Sequence, residues 1–98
     1  IYIADSGTLS DPRLIRLLAQ TGDELGIPYQ FRQPGGGGTD AGAIHKTRAG
    51  IPSVSVSVPG RYAHTAATLV RLDDWQNTLR LVFAALQRVT PGLLAEPR

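Results

Sequence analysis

The sequence predicts an α/β fold, a layered β-sheet with flanking helices, and three observations predict it. Strand-like and helix-like patterns alternate in the order β-α-β-α-β-loop-α along the chain, the signature of sheet-and-helix layering. Ser53-Val54-Ser55-Val56-Ser57-Val58 alternates with period two, as a strand with one buried face does. The segment opening at Asp73-Asp74 places apolar residues at helical spacing over four turns.

The elements follow in order. Ile1 to Asp5 is a short β-rich run, and Ser6-Gly7 is a turn. Ser10-Asp11-Pro12 starts a helix, with Ser10 placed to cap it and Pro12 in its first turn. Leu14, Ile15, Leu17, Leu18 and Leu25 line that helix, which Gly26 ends, with Pro28 just beyond. A short strand, Tyr29 to Arg32, comes next, followed by the connection Pro34 and Gly35 to Gly38. Thr39-Asp40 can cap a second helix running to about Arg48, stopped by Gly50 and Pro52. The Ser53–Val58 strand should turn its valines to the core and its serines to a closely packed neighbour. Arg61 to Thr65 is a loop, and the last helix carries Trp75, Leu79, Val82, Phe83, Leu86 and Val89 on its apolar face. Its two leading acids suit the positive end of the helix dipole. Pro91-Gly92 ends it, so residues 1–90 form one domain and 91–98 a flexible tail.

The composition excludes several classes. With 98 residues, 42% of them hydrophobic and 18% charged, the chain is long enough for one modest core. Ten Lys and Arg against eight acids leave a net charge of +2, and the basic residues are scattered, which speaks against a nucleic-acid partner. No apolar run approaches the roughly 18 residues that would suggest a membrane span. Cysteine is absent, so neither a disulfide staple nor a thiolate zinc site is available, and secretion gains no support. Methionine is absent too, and the chain opens on Ile1-Tyr2-Ile3-Ala4. That opening reads as a segment of something longer, for which a partial active site is the expectation.

In α/β sheets functional loops gather at the carboxyl ends of strands. Two loops qualify, Gln33–Asp40 and Pro59–Thr65, and they should lie near one another if their strands run parallel. Gly35-Gly36-Gly37-Gly38-Thr39-Asp40 reads as a flexible capped turn or as a backbone cradle for a ligand. It fails the phosphate-loop pattern, because Thr39-Asp40 stands where Lys-Ser/Thr is required. The dinucleotide fingerprint fits loosely as Gly36-x-Gly38-x-x-Ala41, but Arg61 stands where an acidic ribose ligand belongs. His64 is a lone loop histidine, and His45 reads as a helix-surface residue; no third or fourth donor completes a metal site with them. Serine hydrolase chemistry is excluded, since no Gly-x-Ser-x-Gly elbow is present.

Three motifs then occur in a fixed order: Gly37-Gly38-Thr39-Asp40-Ala41-Gly42-Ala43-Ile44-His45, Ala49-Gly50-Ile51-Pro52-Ser53, and Val58-Pro59-Gly60-Arg61-Tyr62-Ala63-His64-Thr65. Together they closely resemble the C-terminal region of the tetrahedral (TET-type) metallo-aminopeptidases, a group that includes glutamyl and deblocking aminopeptidases. The likeness extends upstream through Asp5-Ser6 and Gly26-Ile27-Pro28-Tyr29, and downstream through Val70-Arg71-Leu72-Asp73-Asp74 to about Val89.

The resemblance implies the C-terminal part of a zinc-peptidase-like catalytic domain, acting on peptides from the N-terminus. It implies two divalent metal ions, zinc or cobalt, one of them bound by His64 in Arg61-Tyr62-Ala63-His64. It makes Gly37, Gly38, Thr39 and Asp40 a border of the substrate cleft. The family's other ligands and its glutamate base precede this region, so the 98 residues alone should be inactive. Cytoplasmic location and a twelve-subunit homo-oligomer are also implied. Two departures stand out: Thr65-Ala66-Ala67-Thr68 replaces a frequent Ser-Pro-x-Glu stretch, and the glycine run has one extra member. Outside the resemblance, a non-catalytic α/β module and a phosphate or nucleotide binder remain as alternatives.

Overall fold

The structure is a computed structural model describing residues 1–98. Its elements in chain order are α1 (Pro12–Leu25), α2 (Ala41–Ile44), β1 (Gly60–Arg61), β2 (Leu69–Val70), α3 (Leu72–Arg88) and α4 (Pro91–Ala95). The chain is thus a mixed helix and strand unit. The ladder it forms is the small antiparallel β1–β2 hairpin, with Gly60 opposite Val70 and Arg61 opposite Leu69.

The three expected strands run as neighbours but share too few hydrogen bonds to form ladders. Arg32 N–H donates to Ile1 O at 2.8 Å, and Ile3 N–H donates to Arg32 O at 3.3 Å, a single parallel bridge between Tyr2 and Arg32. On its other side Tyr2 N–H donates to Ser55 O at 2.9 Å. Successive backbone groups point to opposite edges of an extended chain, so Ile1–Asp5 lies between the Tyr29–Arg32 and Ser53–Val58 segments. Val54 and Val56 pack against the core as the alternation predicts.

Helix α1 begins one residue later in its cap than expected. Asp11, not Ser10, caps it: Asp11 Oδ1 accepts from Arg13 N–H at 2.9 Å, and Pro12 occupies the first turn. The Ser10 hydroxyl is buried without a partner. Gly26 closes the helix in the left-handed region at φ 66°, as its position after the last apolar residue predicts. Helix α2 covers only Ala41–Ile44 instead of reaching Arg48. His45 Nδ1 engages Ala41 O at 2.8 Å and the Thr47 hydroxyl donates to Ala43 O at 3.2 Å, so side chains occupy carbonyls near its end. Asp40 makes no side-chain cap bond there.

The core consists of Ile1, Leu17, Leu18, Ile27, Leu81 and Ala85, with α3 packed on α1. The stripe that the periodicity picks out on α3 is not the face that packs on α1. Leu81 and Ala85 face inward, whereas Trp75, Leu79, Phe83, Leu86 and Val89 are exposed. Arg88 ties the end of α3 to α1 through Glu24, Nη1 to Oε2 at 2.6 Å. Residues 91–95 form the short helix α4. Thr90 caps α4 by accepting from Leu93 N–H at 3.2 Å, and Leu93 packs against the core. The Arg13 guanidinium, paired with Asp11, donates onward to the carbonyls of Leu94 and Glu96.

Candidate active-site loops

The glycine loop is tethered at several points and open elsewhere. The Arg32 guanidinium lies over the Tyr2 ring, 4.5 Å from its centroid, and donates to Gly36 O at 2.9 Å. Ser6 holds the next carbonyl twice: its backbone N–H donates to Gly37 O at 2.8 Å, and its hydroxyl donates to the same oxygen. Gly37 sits at φ 85°, a conformation that disfavours any side chain. The Thr39 hydroxyl meets Ser55 Oγ at 2.9 Å, which places the serine face of the 53–58 segment under the loop. Gly42 lies so close to Gly7 that a Cβ there would stand 3.3 Å from Gly7 O. The N–H groups of Gly35 to Gly38 donate to no atom of the chain. Gly37, Gly38, Thr39 and Asp40 are all exposed. The arrangement therefore offers unpaired backbone donors on a loop held by its Gly36 and Gly37 carbonyls, a geometry suited to an extended peptide backbone or an anion.

His64 sits in the connection between β1 and β2. The connection binds itself: the Thr65 hydroxyl donates to the carbonyls of Tyr62 and Ala67, and the Thr68 hydroxyl donates to Tyr62 O at 3.4 Å. Those two threonines belong to the stretch that departs from the family pattern. Tyr62 and His64 both adopt left-handed backbone, at φ 62° and 64°. Such geometry costs about 1–2 kcal/mol per L-residue, and strain of this kind concentrates at functional sites. The imidazole of His64 is exposed and makes no hydrogen bond, so its ring nitrogens are free to coordinate. His45 is different, because its Nδ1 is engaged with Ala41 O.

No hydrogen bond joins the two loops. No group of three or more His, Asp or Glu side chains converges anywhere on the chain. His64 thus fits a metal as one donor, and a tetrahedral site would need further donors from other residues. The contribution of Asp5, Ser6 and Gly7 was not apparent from the sequence; Ser6-Gly7 signals a turn, and nothing local reveals that the turn carries the glycine loop.

The sequence model of the M42 glutamyl aminopeptidases matches residues 1–81. The chain belongs to the M42 glutamyl aminopeptidase family. Among solved structures, this M42 chain is similar to a TET aminopeptidase from the marine sediment archaeon Thaumarchaeota archaeon SCGC AB-539-E09, at 34% identity and a TM-score of 0.90, covering 96% of this chain and 27% of that one. It is 33% identical over 85 residues to the glutamyl aminopeptidase of Lactococcus lactis subsp. cremoris, which covers 84% of this chain and 24% of that protein. It is 30% identical over 90 residues to the lysyl aminopeptidase of Pyrococcus furiosus, covering 91% of this chain and 26% of that protein. The chain therefore spans about a quarter of the length of these M42 relatives. One relative is named for glutamyl and the other for lysyl residues, so membership of the M42 family leaves the preferred residue open.

Proposed function

We propose that this chain is the C-terminal part of the catalytic domain of a two-metal aminopeptidase, built on a layered sheet that other residues complete. The observation that carries the reading is the fit to a TET aminopeptidase at a TM-score of 0.90 over 96% of the chain. In this reading His64 is one metal ligand, and Gly37, Gly38, Thr39 and Asp40 border the cleft. The unpaired N–H groups of the glycine run hold the substrate backbone, and the left-handed turn at Tyr62–His64 aims the imidazole. The metal pair, zinc or cobalt, supplies an activated water and a polarised carbonyl when bound. In this reading the protein works in the cytoplasm and as a homo-oligomer, the assembly being in keeping with the TET neighbour. No helix is long and apolar enough to cross a membrane.

A phosphate-binding reading has less support. Helix α2, which the glycine loop enters, is four residues long and brings little dipole to bear on an anion.

The test uses the complete polypeptide with aminoacyl-p-nitroanilides, with chelator and with added zinc or cobalt. Chelator should abolish hydrolysis. His64→Ala should lower kcat/KM by more than about 100-fold, because loss of a ligand exceeds the roughly 10–100-fold cost of losing a ligand's own hydrogen-bond partner. The 98 residues alone should show no activity. Normal hydrolysis by the His64→Ala enzyme would remove the ligand assignment.

A further inference from the structure

The glycine loop is the least constrained part of the chain by composition, yet it rests on a turn with little freedom. In Asp5–Thr8 the Asp5 carboxylate accepts two backbone bonds through one oxygen, from Gly7 N–H at 2.9 Å and Thr8 N–H at 2.8 Å. Asp5 N–H donates to Thr8 O at 3.0 Å, which closes the turn from the other side. The turn then meets the glycine loop at two places. Ser6 takes Gly37 O with both its backbone N–H and its hydroxyl. Gly7 backbone lies against Gly42 at the start of α2, where a Cβ would come within 3.3 Å of Gly7 O and 3.6 Å of its Cα. Gly37 and Gly42 flank Gly38, Thr39 and Asp40, so both ends of the proposed cleft border are held by one turn.

We propose that the Asp5–Thr8 turn is the seat of the glycine loop, and that Asp5 is a positioning residue for substrate binding. Asp5 acts through the backbone: its carboxylate fixes Gly7 and Thr8, the fixed turn presents Ser6 N–H to Gly37 O, and Gly7 sets how closely α2 approaches. The second carboxylate oxygen, Oδ2, is buried without a partner, so the positioning rests on Oδ1 alone. The substrate part of this inference rests on the aminopeptidase reading; the seating of the loop does not.

The experiment compares Asp5→Ala, Asp5→Asn and Gly42→Ala in the complete polypeptide. Asparagine keeps an acceptor at Oδ1 and places its amide nitrogen where Oδ2 now bonds to nothing. Asp5→Ala should raise KM about 10-fold, the worth of one to two backbone hydrogen bonds, with kcat and bound metal unchanged. Asp5→Asn should restore KM to near the starting value. Gly42→Ala, which must push Gly7 aside, should raise KM in the same sense. Equal KM in all variants, or an Asn variant as impaired as the Ala variant, overturns the assignment. Hydrogen exchange at the Ser6 amide, which donates to Gly37 O, reads the seat without catalysis: exchange should quicken in Asp5→Ala and stay slow in Asp5→Asn. That pattern in a protein with no peptidase activity keeps the seat and removes the aminopeptidase reading. Unchanged exchange in Asp5→Ala removes the seat.

Discussion

Asp11 performs two tasks at one position. It caps α1, and its carboxylate pairs with the Arg13 guanidinium, Oδ2 to Nη2 at 2.6 Å, with both side chains nearly buried. Arg13 carries that charge onward to the carbonyls of Leu94 and Glu96, and Arg98 adds a further contact to Asp11 Oδ2 at 3.5 Å. The hydrogen bond from Arg13 is the main reason that the Asp11 carboxyl titrates below its ordinary range; burial opposes the shift, and the backbone bond and nearby positive charge support it. The unfolded chain therefore binds a proton on Asp11 at a pH where the folded chain does not. The stability contributed by the ionised form is present above the ordinary carboxylate value of about 4, and it is lost as pH falls through the lower folded value. Asp11→Asn keeps a capping oxygen but removes the charge beside Arg13. It should lower Tm at neutral pH by a few degrees, with the difference from the parent narrowing below about pH 4. Parallel Tm curves across that range would contradict the assignment of the acid limb to this pair.

Gly22 shows how one element can demand a residue that its own helix disfavours. Glycine inside a helix costs about 1 kcal/mol relative to alanine. In α1, however, a Cβ at Gly22 would fall 2.5 Å from Tyr29 Cδ1 and 3.1 Å from Ile27 O. The ring cannot swing away freely, because the Tyr29 hydroxyl donates to Asp23 Oδ1 at 2.9 Å and its edge packs on Phe31 with centroids 5.6 Å apart. Gly22→Ala should therefore destabilise by about 1–3 kcal/mol, an overpacking cost. In a Tyr29→Ala background the same change should become neutral or stabilising. Chemical denaturation of the double-mutant set measures the coupling, and additive effects would show that the ring is not the obstacle. The bounds of α1 were legible because Pro12 and Gly26 act within one turn of their own positions. The length of α2 was not: Thr47 places its hydroxyl on Ala43 O while its N–H turns to Ile44 O, an exchange that composition does not reveal. The Ser53–Val58 alternation showed which side chains turn inward, but its backbone hydrogen-bond partners are Tyr2 and Asp11, more than forty residues away. The glycine loop and His64 stood out by residue type and motif order, whereas the Asp5–Thr8 seat is a contact between distant segments.

At the scale of the molecule the decisive feature is α3, which has two apolar faces. With about 100° between successive residues, Leu72, Trp75, Leu79, Phe83 and Leu86 fall on one side, roughly opposite the buried Leu81 and Ala85. Periodicity in the sequence reveals the larger stripe, but not that the smaller one faces α1. A helix that is apolar on opposite sides belongs between two layers. The chain is a slab of 41 × 30 × 19 Å, and this stripe lies exposed on it. The exposed stripe is therefore where α3 should pack against other residues of the complete polypeptide. Full burial of a leucine or phenylalanine contributes about 1.5–3 kcal/mol, so Leu79→Lys and Phe83→Lys should each destabilise the complete polypeptide by at least that amount. Arg80→Lys, between them on the exposed flank, should change little. Denaturant midpoints for the three variants decide the matter: midpoints equal to the parent would place the stripe in water, and α3 would then be an outer helix.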